Sequence, residues 1–230
     1  MEKEIQDQGI IVRFTRACFR ARYLFLLFLI VVMLCLDPFL DAYLLSKILM
    51  DLFLTAIFIA VIYTVSHNRI QMTVMAIFAL PLVISIWSAY WLEIRTVGLF
   101  TRIFGALFFA CAVINILIFI FGTKDVTGET IFAAIDAYLL MALMFAFIYI
   151  VLEKVAPGSF SSIKGNDIQI LPEFEYFSFV TITTLGYGDI APITEKARTL
   201  SGLEAVTGQI YLVVLVAWLV GMHVASRSKR

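Results

Sequence analysis

Charge is scarce in this chain. Asp, Glu, Lys and Arg make up 15% of its 230 residues, and 17 basic side chains balance 17 acidic ones. Such a chain offers no grip on a polyanion, so no nucleic-acid partner is expected. There are two histidines and three cysteines, the latter at Cys18, Cys35 and Cys111. The cysteines have neither metal-ligand spacing nor the pattern of a disulfide framework, and reduced, buried thiols are expected. No Ser/His/Asp or metal-ligand constellation stands in the apolar segments. The chain therefore reads as no enzyme, with no catalytic residue and no cofactor. No cleavable leader pattern is visible at the start either, where a polar stretch precedes a first apolar run beginning near residue 19.

Apolar sequence fills the space that charge leaves. The hydrophobic share is 62% and the mean hydropathy is +1.00, a balance that suits a multi-pass membrane protein. A helix needs about 20 apolar residues to cross a bilayer. Segments 43–66, 70–92, 97–122, 130–153 and 199–225 meet this, and a shorter continuous run at 19–37 makes a sixth. The expected fold is all-α, with six transmembrane helices and one shorter re-entrant stretch at 172–188. The expected division is a segment 1–18, a four-helix membrane domain 19–122, a linker 123–129, a second membrane domain 130–225 and a tail 226–230.

Basic residues set the orientation. Arg13, Arg16, Arg20 and Arg22 precede the first run, Arg69 and Lys124 fall in alternate loops, and Arg227, Lys229 and Arg230 close the sequence. Alternation puts all of them on one side, which predicts a cell-membrane protein with both termini cytoplasmic. The opposite loops open with Asp37 and Asp41. Trp87, Tyr90 and Trp91 cluster where an interfacial aromatic belt is expected. The re-entrant stretch then falls on the outer side.

That stretch contains Thr-Ile-Thr-Thr-Leu-Gly-Tyr-Gly-Asp at 181–189, after an aromatic helix-length segment too short to cross a bilayer. Backbone without helical pairing survives at membrane depth only where protein buries it or an aqueous path lines it. Gly186 and Gly188 allow left-handed backbone angles that a Cβ opposes. Such angles can turn consecutive carbonyls toward one axis.

The segment Thr184-Leu185-Gly186-Tyr187-Gly188 resembles the selectivity filter of the potassium-channel family, with Leu185 as the one change from Thr-Val-Gly-Tyr-Gly. Residues 130–225 are similar to that family's pore module of outer helix, turret, pore helix, filter and inner helix. The resemblance implies a homotetramer, because each chain supplies one filter strand. It implies K+ bound at Thr184, Leu185, Gly186 and Tyr187. Leu185 would turn its side chain into the packing behind the filter, and the Tyr187 ring would wedge against the pore helix. Thr183 would end that helix and aim its negative pole at the cavity. Pro172 in its first turn, with Glu173 and Glu175 nearby, suits its start. Tyr176 stands 13 residues before Asp189, where many relatives carry a tryptophan bonded to that aspartate, and a phenol can make the same bond. Val180 is the apolar version of a position that is acidic in some relatives, which leaves Tyr176 as the one clamp on Asp189.

Gly208 lies 19 residues after Asp189, at the family's inner-helix hinge spacing. A gating bend and close helix packing both stay open there. Gly202 reads as packing. Gln209, Leu212, Val216 and Val220 fall on one stripe, an apolar ring that can close by dewetting. Glu204, a carboxylate in the same helix, reads as a holder of polar groups behind the filter, with a protonated form equally open.

The front four helices match voltage-gated channels in number but not in motif. Helix four holds Arg102, with Arg95 seven residues before it, and then no charge up to Gly122. Steep gating uses three to four charges per subunit, so weak or absent voltage sensing is expected. Lys47, Asp51 and Arg102 read as a static charge group, paired either as Asp51–Arg102 or as Lys47–Asp51. About five residues follow the last helix, which suggests lipid, tension, ions, pH or a separate regulatory partner as the stimulus. His67 and His223 are candidate pH-responsive groups. The functional expectation is passive, potassium-selective conduction, with lipid as surroundings. A weakly selective cation pore and a non-conducting membrane sensor or scaffold are the alternatives.

Overall fold

The computed structural model describes residues 22–36, 44–66, 69–88, 98–123, 126–163 and 170–227. Its elements are all helical: α1 (Arg22–Leu36), α2 (Leu44–Val65), α3 (Arg69–Ser88), α4 (Gly98–Gly122), α5 (Gly128–Val155), α6 (Ile170–Ile182) and α7 (Glu195–Arg227). Five of them, α2, α3, α4, α5 and α7, are long and apolar enough to cross a membrane, while α1 is a shorter apolar helix of 15 residues. The expected sixth span is thus represented by α1 only up to that length. Arg13, Arg16, Arg20, Asp37, Asp41, His67, Tyr90, Trp91, Arg95 and Lys124 lie outside the described residues, as do the side chains of Lys47 and His223.

Local chemistry explains the best-defined boundary. Thr127 caps α5: its hydroxyl accepts from the Thr130 amide at 3.4 Å, and the Thr130 hydroxyl accepts from the Thr127 amide at 3.4 Å. Glu129 in the first turn and Lys154 in the last complement the helix dipole. With 28 residues, α5 is about 42 Å long, enough to cross the bilayer with length to spare. The 13 residues of α6 reach about 20 Å and cannot span.

The centre of the subunit is α5, which packs against α4, α6, α1 and α7. Its Phe147 lies on Gly105 of α4 so closely that a Cβ there would enter the ring. Phe109 stacks on Phe147 at 5.5 Å and on Phe58 of α2 at 5.8 Å, continuing the core outward. Arg22 of α1 bridges to Glu129 of α5 at 3.2 Å and sits 5.5 Å from the Phe119 ring centre of α4. Arg102 lies 5.9 Å from the Phe147 ring centre. The Trp87 indole donates to Thr55 of α2 at 3.3 Å, so it serves helix packing as well as any interface. Cys35 and Cys111 are free thiols, but Cys35 is exposed on α1 and Cys111 only half-buried, against the expectation of buried cysteines.

Outward faces are apolar. On α3, Ile70, Ile77, Leu80 and Ile84 are all more than half exposed. Bare apolar stripes of that length suit a lipid solvent.

Candidate ion-conducting site

The site is assembled from α6, the segment 183–194 and α7. Phe174 and Phe177 of α6 pack with Tyr149 of α5 and Phe160, with ring centres 5.0–6.2 Å apart. This aromatic cluster fixes the re-entrant helix against the outer helix. Beyond it, two loops are tied together. The Ser161 amide donates to the Ala191 carbonyl at 2.8 Å, the Ile193 amide to the Ser159 carbonyl at 2.8 Å, and the Ala191 amide to the Ser161 hydroxyl at 2.9 Å. Glu153 closes the turret, accepting from the Gly158 amide at 2.7 Å and from the Phe160 amide at 3.2 Å.

The segment 184–188 alternates in handedness. Thr184 has φ +59°, Gly186 +60° and Gly188 +79°, whereas Leu185 and Tyr187 between them keep ordinary negative φ. In a regular strand, successive peptides face opposite sides. Alternating left- and right-handed residues removes that reversal, so consecutive carbonyls can share one side. Two of the three left-handed positions are glycines, which take such angles freely. The third is Thr184, β-branched, for which left-handed angles cost about 1–2 kcal/mol. Strain of this kind persists where surrounding contacts over-determine the backbone.

Those contacts come from the end of α6. The Val180 carbonyl accepts from the amides of Leu185 at 2.9 Å and Gly186 at 3.2 Å, and the Thr181 carbonyl accepts from Thr184 at 2.9 Å. Thr183 turns its hydroxyl back to the Phe179 carbonyl at 2.6 Å. The Tyr138 hydroxyl of α5 donates to the Ile182 carbonyl at 3.0 Å. The last-turn carbonyls of α6 are therefore each engaged. Val180 acts here through its backbone oxygen, a contribution its apolar side chain does not announce.

At the far end, Tyr176 donates to Asp189 at 2.7 Å. The phenol holds the Asp189 carboxyl below the usual carboxylate range. The same bond pushes the Tyr176 hydroxyl up. In the single chain Leu185 is 57% and Tyr187 67% exposed. One chain supplies only one wall of the site.

On α7, a buried stripe of Ala197, Ser201, Glu204, Gly208 and Leu215 faces the chain's own helices. At Gly208 a Cβ would lie 2.6 Å from the Ile182 side chain and 2.7 Å from its carbonyl oxygen. Glycine is required there for close approach of α7 to the end of α6, which gives the packing alternative a concrete basis. Gly202 is exposed and a Cβ would meet nothing in the chain, so the packing expected of it is absent within the subunit. Gln209, Leu212, Val216 and Val220 are all exposed, as an open stripe.

The sequence reading named Glu204 but not its partners: it is fully buried and bonded to the hydroxyls of Tyr149 and Ser178. Ser178 also donates to the Ala142 carbonyl at 2.6 Å, and Tyr211 of α7 donates to the Ala134 carbonyl of α5 at 2.6 Å. Asp136 on α5 is fully buried, and neither carboxyl oxygen has a hydrogen-bond partner among the described residues. The available signal was a polar residue inside an apolar helix, since buried polar groups seek partners.

A family model described as an ion channel matches residues 137–224, which contain the end of the outer helix, α6, the strand and α7. Protein LctB of Geobacillus stearothermophilus is 33% identical over 98 residues, covering 41% of this chain and 72% of that protein. Protein LctB of Bacillus caldotenax is 32% identical over 98 residues, with the same coverage. No solved structure matches the chain. With an ion-channel domain laid over the re-entrant helix and its strand, and a relative matched over most of its length, this chain belongs to the potassium-channel family of ion channels.

Proposed function

We propose that the chain forms a homotetrameric channel that conducts K+ passively and selectively, with weak or absent voltage sensing. The observation that carries this reading is the alternation of handedness through Thr184, Gly186 and Gly188. Carbonyls of Thr184, Leu185, Gly186 and Tyr187 on one side of four strands would replace the water around a dehydrated K+. Four chains are needed because each provides one strand, and the exposed Leu185 and Tyr187 side chains leave the neighbouring subunit to support them. In this reading Gln209, Leu212, Val216 and Val220 line the cavity below, residues 130–225 form the pore domain, and residues 19–122 form a membrane domain around it. The cell membrane, with cytoplasmic termini, is the proposed location.

The test is flux from purified protein in liposomes, with reversal potentials in mixed K+ and Na+. Selective K+ flux is expected. Gly186→Ala should remove selectivity, because a Cβ at φ +60° adds about 1–2 kcal/mol of backbone strain beside the already strained Thr184. Equal passage of both ions by the native protein would make it a weakly selective pore. No flux from an intact tetramer would make it a membrane scaffold.

A further inference from the structure

Three helices of the pore domain meet at one buried polar cluster that conduction itself does not use. Ala142 and Tyr149 come from α5, Ser178 from the middle of α6, and Glu204 from α7. Tyr149, Ser178 and Glu204 are each fully buried. The Tyr149 hydroxyl is bonded to Glu204 Oε2, the Ser178 hydroxyl is within hydrogen-bond reach of Glu204 Oε1, and Ser178 Oγ lies 2.6 Å from the Ala142 carbonyl.

Protons can be counted across these contacts. A carbonyl oxygen has no proton, so Ser178 must donate to Ala142. A serine hydroxyl has one proton to give, and it is then spent. Tyr149 also has one, and it serves Oε2. Ser201 has the Ala197 carbonyl at 2.9 Å and the Tyr149 oxygen as its acceptors, so its proton does not reach Glu204. The contact between Ser178 Oγ and Glu204 Oε1 therefore has a proton only if Glu204 brings it. An ionised carboxylate would set two lone-pair oxygens against each other, in a site where an unsatisfied polar pair is costly. The Tyr138 hydroxyl from α5 also feels the Glu204 carboxyl, and Glu175 stands one turn before Ser178 on α6. Among the described residues no basic side chain reaches either carboxyl oxygen.

We propose that Glu204 is a positioning residue that works as a neutral carboxylic acid, donating its proton to Ser178 and accepting from Tyr149, and so holds the re-entrant helix and its strand in register with the inner helix. This rests on the function proposed above. Ser178 lies two residues before Val180, whose carbonyl holds the Leu185 and Gly186 amides of the strand. A shift of α6 at Ser178 is therefore a shift of the strand. A neutral acid suits the position because it satisfies donor and acceptor needs without leaving a net charge among apolar helices.

The experiment compares Glu204→Gln, Glu204→Asp and Glu204→Ala as tetramers in liposomes, with infrared spectra of the same samples. Gln reproduces a neutral donor and acceptor at the same reach, so native flux and K+ over Na+ selectivity are expected. Asp keeps the acid but withdraws it by one methylene, and Ala leaves two hydroxyls unmatched. Both should lose at least about tenfold in flux, near the low end of what an unmet buried hydrogen bond costs. The spectrum of the native protein minus that of Glu204→Gln should show a protonated-acid carbonyl band. A carboxylate pair in its place, or Asp conducting better than Gln, overturns the proposal. The infrared result does not depend on conduction. A native protein without flux but with the acid band would overturn the proposed function and leave the protonation of Glu204 standing.

Discussion

Tyr176 and Asp189 form an exposed bond of the site, a phenol on a carboxylate at 2.7 Å. Because the bond lowers the Asp189 pKa, its contribution is fully present above the ordinary carboxylate range. It is lost as external pH falls through the lowered value. Sustained K+ current should therefore survive mild acidification and decay only in strong acid. In Tyr176→Phe the carboxyl returns toward its usual range, so the decay should begin at higher pH. Asp189→Asn should show little remaining dependence on this group, and the double variant should be no worse than either single one, as coupled partners require. Additive effects on current decay would mean that the two side chains act separately. Thr184 is the other residue-scale finding. The sequence marks Gly186 and Gly188 as left-handed by their lack of a Cβ. Nothing in the letter Thr marks position 184, where hydrogen bonding from the end of α6 holds the backbone against its own preference.

The crossing of α7 over the end of α6 is the decisive contact between elements. Gly208 permits it, and the nearest obstacle to a Cβ includes the backbone carbonyl of Ile182, which cannot rotate away. Gly208→Ala should destabilise the assembled protein by about 1–3 kcal/mol, the range for overpacking. It should also lower flux through displacement of the strand. The check is the melting temperature of the tetramer together with flux. Unchanged stability with altered open probability would instead favour a hinge. A spacing of 19 residues from Asp189 located this glycine in the sequence, but spacing alone left hinge and packing equally open. The contact with Ile182 gives the packing alternative a concrete partner. Likewise the hydropathy of α6 gave its length and re-entrant character, while the aromatic cluster of Tyr149, Phe160, Phe174 and Phe177 that seats it joins residues far apart in the chain.

At the scale of the whole molecule, α1 and α4 rest on α5 of the same chain. The segment 123–127 between α4 and α5 is short, α4 packs along α5 through Gly105, and Arg22 of α1 reaches Glu129 of α5. Arg22→Glu and Glu129→Arg should each weaken assembly, and the two together in one chain should restore it. Co-expressing the two single variants should not restore it, because each subunit keeps its own mismatch. Recovery in the mixed tetramer, measured as yield on size exclusion, would place the contact between neighbouring subunits. Voltage gives a second test at this scale. Arg102 is the one arginine inside α4, so in the proposed tetramer it could move at most about 4 charges across the field, against roughly 12–16 in steeply gated channels. The limiting slope of open probability should yield a small gating charge, and a value in the upper range would require other charges to move.

Composition, hydropathy and the nine residues from Thr181 to Asp189 determined a great deal: a helical membrane protein, the number of long apolar segments to within the short α1, and a helix before the motif too short to span, while the pairing of Tyr176 with Asp189 came through the resemblance that motif carries. Span length and glycine freedom are properties of contiguous sequence. The tertiary structure decided what depends on neighbours remote in the chain. Glu204 gained its partners on α5 and α6, Gly208 its close contact with Ile182, and Val180 a role for its carbonyl that no side chain reveals. It also left Leu185, Tyr187 and most of α7 uncovered in one subunit. A burial requirement is written in the sequence as apolarity, but the surface that meets it is chosen only when helices pack.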